Sequence, residues 1–143
     1  MKKQKGFTLI ELLVVIAIIG LLSTLAVVAL NNARQKSRDA RRVADIKQIQ
    51  TAMELFFNDE QAYPDGSTAG ETCGGGTALI GPTDTITYMN AIPIDPQTGE
   101  DYTYTQDNDL SYSMEYLLEG TTGGIPSGAH IATPSGICDD VGC

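Results

Sequence analysis

The sequence predicts an α+β fold in which one long N-terminal helix, first membrane-spanning and then amphipathic, packs on a small antiparallel β-sheet head. Three observations predict it. Residues 7–30 form a run of 24 in which nineteen are apolar and only Glu11 is charged. Residues 31–63 contain neither Pro nor Gly and repeat apolar side chains at three- and four-residue spacing. All six prolines and thirteen of the fifteen glycines fall at or after Pro64, with strand-like stretches between them. A chain of 143 residues has room for one such domain and not two.

Taken in order, residues 1–6 read as a leader carrying Lys2, Lys3 and Lys5. The apolar run that follows is ~36 Å long as a helix, enough to cross a hydrocarbon core of ~30 Å. A cleaved secretory signal is the bland alternative, but its apolar region is usually ~7 to 15 residues, and Val27-Val28-Ala29 is a poor cleavage site. Over residues 31–63 the apolar positions Val43, Ile46, Ile49, Met53 and Phe56/Phe57 make one stripe, the face a head would cover. Pro64 disfavours helix in the residue before it and Asp65-Gly66 reads as a turn, so the helix should stop by Ala62 or Tyr63.

Residues 64–143 form the head. Tyr102 to Thr105 and Ser111 to Leu117 are rich in strand formers and flank the polar segment Gln106 to Leu110, which predicts an antiparallel hairpin. Tyr112, Met114, Tyr116 and Leu118 would line the face laid on the helix stripe, and a weaker third strand runs through Ala129 to Ala132. So glycine-rich a head has a thin core, and the second half of the helix is needed to complete it.

Charge is segregated as strongly as hydropathy. All nine basic residues lie at or before Lys47, while fifteen of the eighteen acids lie after it. Phosphate contact needs Lys or Arg, so direct nucleic-acid binding by the head is excluded. Positive charges on both sides of the apolar run leave its orientation open by charge counting. Cysteines and Gly-rich loops in the head favour its export to an oxidising compartment.

Glu11 is the most informative residue, a lone carboxylate near the start of an oily helix. Thr8-Leu9-Ile10-Glu11 has the spacing of a capping box, which accounts for the interval but not for the Lys-rich leader ahead of it. The stretch from Lys5-Gly6-Phe7-Thr8-Leu9-Ile10-Glu11 through Gly20 closely resembles the N-terminus of type IV prepilins and of type II secretion pseudopilins. The segments Ile92 to Pro96, Tyr102 to Tyr104 and Tyr112 to Glu119 resemble, more loosely, the head of major pseudopilins and related short pilins.

The resemblance implies a pilin-like fold and a membrane peptidase that cuts after Gly6 and N-methylates Phe7. It also implies a role for Glu11 in assembly and a helical filament of copies of the chain as the product. The implied partners are the prepilin peptidase, an inner-membrane platform protein, a cytoplasmic assembly ATPase and, before assembly, membrane lipid. The implied location is a single pass of the inner or cytoplasmic membrane with the head exported, and later an extracellular or periplasmic filament. Both a type IV pilus and a secretion pseudopilus fit. The rival from another class is a monomeric, membrane-tethered module binding a ligand or calcium.

The six basic residues from Arg34 to Lys47, set against Asp39 and Asp45, have two readings: lipid headgroups before assembly, or the acidic heads of neighbouring copies, with Arg41 and Arg42 among the pairing residues. Cys73 can bridge to Cys138 or to Cys143, stapling the Gly-rich loop to the tail, whereas Cys138 with Cys143 closes a small ring. No cofactor is expected. Major pseudopilins often bind calcium near the C-terminus, which makes Glu119, Asp139 and Asp140 candidates, but no loop pattern supplies the six to eight oxygens calcium takes, and solvated acids are the favoured reading. A zinc site lacks C-x-x-C and has only His130 to draw on; Gly74-Gly75-Gly76 lacks the Lys-Ser/Thr of a phosphate loop. No nucleophile, base and orienting acid share a catalytic spacing, so the chain is not expected to be an enzyme.

Overall fold

A computed structural model describes residues 6–65, 76–82 and 86–139. They belong to two compact units, one ending at Gln35 and one starting at Lys36, and helix α1 (Leu9–Glu60) contributes to both.

In the first unit the apolar side chains are exposed on every side of the helix, from Leu9 at 78% to Leu30 at 50%. It is the one helix among the described residues long and apolar enough to cross a membrane. Such a surface is stable only in lipid or against other apolar surfaces. Two hydroxyls amid the apolar side chains are satisfied within the helix: Ser23 Oγ donates to the Ile19 carbonyl at 2.7 Å and Thr24 Oγ1 to the Leu21 carbonyl at 2.8 Å.

In the second unit the helix ends at Glu60, slightly short of the expected Ala62 or Tyr63. Gln61 takes a left-handed φ of 60°, and its amide donates to the Phe57 carbonyl at 2.8 Å, which closes the last turn. Six strands follow. β1 (Leu79–Ile80) and β2 (Thr87–Met89) form a small antiparallel ribbon. β3 (Thr103–Asn108), β4 (Ser111–Leu118), β5 (Gly128–Thr133) and β6 (Gly136–Asp139) form an antiparallel sheet in that order.

The expected hairpin is β3–β4, with Tyr104 opposite Met114 and Gln106 opposite Tyr112. Its turn is shorter than the polar segment suggested. Gln106 to Asn108 stay in the strand through a bulge, and the Asn108 side chain accepts the Leu110 amide at 2.9 Å, leaving Asp109-Leu110 at the bend. The third strand is β5, paired to β4 with Tyr116 opposite His130. β6 and the ribbon were not foreseen.

The core lies where the helix stripe meets the alternating face of β4. Ile46, Ile49, Met53 and Phe56 pack with Tyr112, Met114, Tyr116, Leu118 and Ala132, all nearly excluded from solvent. Val43 and Phe57 sit at its margin, half covered. Tyr63 stacks on Phe57 with ring centroids 4.8 Å apart and meets Tyr112 edge-on at 4.7 Å, sealing the end of the helix to the sheet.

Candidate functional site

Two groups of residues carry chemistry, one at the start of α1 and one inside the head. At the start, Gly6 and Phe7 are exposed, Phe7 at 93%. The capping box is formed: Glu11 Oε2 accepts the Thr8 amide and the Thr8 hydroxyl, each at 2.8 Å, and the Glu11 amide donates to Thr8 Oγ1 at 3.3 Å. The box uses one carboxylate oxygen, and no partner sits on Oε1 among the described residues. Phe7, Ile10, Val14 and Val15 flank Glu11 in a shallow apolar surface. Glu11 therefore both caps its own helix and offers a second oxygen beside oily side chains.

The second group was not anticipated from sequence. Arg42, only 3% exposed, lies on the core side of the helix and is surrounded by acids. Its Nε donates to Asp95 Oδ2 at 2.6 Å and Nη1 to both Asp39 Oδ1 at 2.8 Å and Glu119 Oε1 at 2.7 Å; Nη2 reaches Asp95 Oδ1 at 3.2 Å and Gln97 Oε1 at 3.1 Å. Arg38 grips Glu119 with a second fork, Nε to Oε1 at 2.7 Å and Nη2 to Oε2 at 2.5 Å. Asp39 is fully buried and also accepts the backbone amides of Glu119 at 3.0 Å and Gly120 at 2.8 Å. Asp95 accepts those of Gln97 and Thr98 at 2.8 and 2.9 Å. One helical segment thus holds two head segments, the 95–98 turn and the end of β4, by charge-assisted hydrogen bonds.

The electrostatic consequences follow from these contacts. Arg42 holds the Asp95 carboxyl well below the ordinary range, with help from burial-opposing backbone amides. Glu119 is pushed down to about 2, chiefly by the Arg38 hydrogen bonds and then by Arg42. Asp45 moves the other way: burial raises it, partly offset by the Tyr102 hydroxyl at 3.3 Å and by Arg41.

These placements bear on several of the expectations. Arg42 cannot pair with a neighbouring head, because its guanidinium is buried and occupied within its own chain; Arg41, 66% exposed and 3.8 Å from Asp45, stays outward. Glu119, a calcium candidate, has both oxygens on arginines. The Asp139 side chain and Asp140 lie outside the described residues, and among those described no three His, Cys, Asp or Glu are grouped to hold a metal. Cys138 lies on β6 and is not a free thiol, while Cys73 and Cys143 lie outside the described residues. His130 is buried on β5 with Nε2 2.9 Å from the Pro126 carbonyl, a structural position.

Comparison with known proteins agrees with the N-terminal geometry. Residues 1–27 match the model of the prokaryotic N-terminal methylation motif. The chain is 32% identical over 141 residues to type II secretion system core protein G of Vibrio cholerae serotype O1, covering 92% of each. It is 40% identical over 62 residues to the protein of the same name in Escherichia coli (strain K12), covering 43% of each. It is 35% identical over 63 residues to type IV major pilin protein PilA of Myxococcus xanthus (strain DK1622), covering 44% of this chain and 29% of the pilin. No solved structure gives a significant match. The shorter matches span less than half of either partner, but the Vibrio relative aligns through helix and head alike. By that near full-length likeness the chain belongs to the family of type II secretion system core protein G.

Proposed function

We propose that the chain is a structural subunit, not an enzyme, of a type II secretion pseudopilus, cut after Gly6, methylated at Phe7 and polymerised through its N-terminal helix. The observation that carries this reading is the Gly6–Glu11 motif at the head of a helix whose apolar surface is bare in the single chain. A Cβ at Gly6 would meet nothing within 4 Å, so the fold itself makes no demand for glycine there, which favours an outside reader such as the prepilin peptidase. Cleavage removes three lysines, takes the formal charge from −9 to −12 and adds an ammonium at Phe7. Glu11 can take that ammonium from an adjacent copy on Oε1 while Oε2 keeps its cap. A pair at ~4 Å is worth up to ~4 kcal/mol at an effective dielectric near 20, before desolvation is subtracted. The contact is head-to-tail and does not close on itself, so it propagates as a fibre.

The platform protein, the assembly ATPase, the inner-membrane start and the periplasmic or extracellular end belong to the same proposal. So does a disulfide from Cys73 to Cys138 or Cys143. The pilin relative from Myxococcus keeps a type IV pilus as the second reading. N-terminal mass spectrometry and fibre yield test the proposal together. A methylated Phe7 terminus is expected, with loss of sheared fibres in Glu11→Ala at normal processing. Retained residues 1–6, or a Glu11→Ala chain that polymerises like wild type, would refute it.

A further inference from the structure

The helix has a second face that the head leaves uncovered. Lys36 and Lys47 are eleven residues apart, three turns and ~16 Å along the helix, and so point the same way. That direction lies about 90° round the helix from Ile46 and more from Ile49 and Met53, and both lysines are exposed. Neither takes part in an ion pair among the described residues, although Arg38 and Arg42 on the covered side are both engaged. In the head, beside the 95–98 turn, a cleft of about 360 Å³ is lined by Glu100, Asp101, Glu115, Tyr102 and Leu117. Asp95 and Arg42 also line it and neutralise one another, but Glu100, Asp101 and Glu115 are exposed and have no cationic partner among the described residues. No Lys or Arg follows Lys47, so the head cannot supply one. The acidic rim with the exposed Leu117 side chain suits the long aliphatic stem and charged tip of a basic side chain.

We infer that Lys36 and Lys47 of one copy dock on the Glu100/Asp101/Glu115 cleft of another, an interface that rests on the filament reading and gives it a second register-setting contact. The partner is a second copy because the two surfaces are complementary in charge and lie on one chain, and because only another molecule can bring the uncovered helix face onto a head. Like the Phe7–Glu11 contact it is heterologous, so one displacement along the fibre can satisfy both.

Two full-length variants test it in cells that assemble the fibre: Lys36→Glu with Lys47→Glu, and Asp101→Lys with Glu115→Lys. Each alone should lower the fraction of processed subunit in sheared fibres by about fivefold, since exposed pairs are individually modest. Expressed together they should co-assemble to near the wild-type yield, because each supplies the partner charge the other has lost. Co-assembly also shows that both variants fold. Unchanged yield in either variant alone would overturn the inference, as would a loss that co-expression leaves in place. A fall in membrane-inserted precursor before assembly would likewise overturn it and assign the lysines to anionic lipid. Wild-type cells without fibres would remove the filament reading itself, a different result from wild-type fibres indifferent to the reversals.

Discussion

Replacing Arg42 with Met keeps the aliphatic stem and removes the guanidinium from a site where it is 3% exposed. Three carboxylates then lose their shared cation, and the charge of the cluster with Arg38, Asp39, Asp95 and Glu119 goes from −1 to −2. Breaking a buried ion pair from one side costs ~3 to 5 kcal/mol. The remaining contacts place this case at the lower end. Asp39 keeps the amides of Glu119 and Gly120, Asp95 keeps those of Gln97 and Thr98, and Glu119 keeps Arg38. The expected loss is therefore ~3 kcal/mol, which for a domain of about this size lowers Tm by ~12 °C or more. Near-ultraviolet circular dichroism of the detergent-solubilised full-length chain reads the transition, since Tyr63, Tyr102, Tyr112 and Tyr116 are all buried in the head. Arg41→Ala is the control: at 66% exposure and 3.8 Å from Asp45 it should cost under ~0.5 kcal/mol. High salt should leave the difference between the two variants largely intact, because buried pairs are poorly screened. If Arg42→Met costs no more than Arg41→Ala, the cluster does not hold the head on the helix.

The same cluster sets a response to acid. Asp95 and Glu119 have folded-state pKa values below their unfolded ones, so the stability they confer is present above the ordinary carboxylate range and is lost as pH falls from about 4.5 towards about 2. Asp45, raised by burial, opposes this in part, since its protonation relieves the folded state. An acid titration of the tyrosine signal should show net loss in that window, flattened in Arg42→Met; a flat wild-type profile would contradict the assignment. At Gly99, φ is +72° and a Cβ would meet nothing within 4 Å, so Gly99→Ala should cost ~1 kcal/mol through backbone strain alone, measured by denaturant unfolding.

The elements the sequence disclosed are those with a local period. The stripe from Ile46 to Phe56, the alternation of Tyr112, Met114, Tyr116 and Leu118, and the T-x-x-E cap each repeat over an interval that backbone geometry fixes, and each is found. β1, β2 and β6, at two to four residues, are too short for alternation to show. The ion cluster was hidden for a different reason. Asp95 and Glu119 are 53 and 77 residues from Arg42, and nothing local ties them together.

One signal for that cluster was nonetheless present. Asp39 and Arg42 precede Ile46, Ile49 and Met53 at the same three- and four-residue spacing, so two opposite charges occupy positions on the stripe that the head covers. Counting charge along Arg34 to Lys47 gives six basic residues against two acids on one surface; counting it by helix face divides the segment. Arg38 and Arg42 point into the head and are neutralised there, whereas Lys36 and Lys47 point out and are not. That division explains how a stretch with six basic residues can both anchor an acidic head and leave charge for a neighbour. A Lys47→Arg change should be nearly silent for head stability while Arg42→Lys should not be, because one ammonium cannot reproduce the fork to Asp95 together with the contacts to Asp39 and Glu119. Equal thermal shifts for the two would mean that face makes no difference to how these charges act.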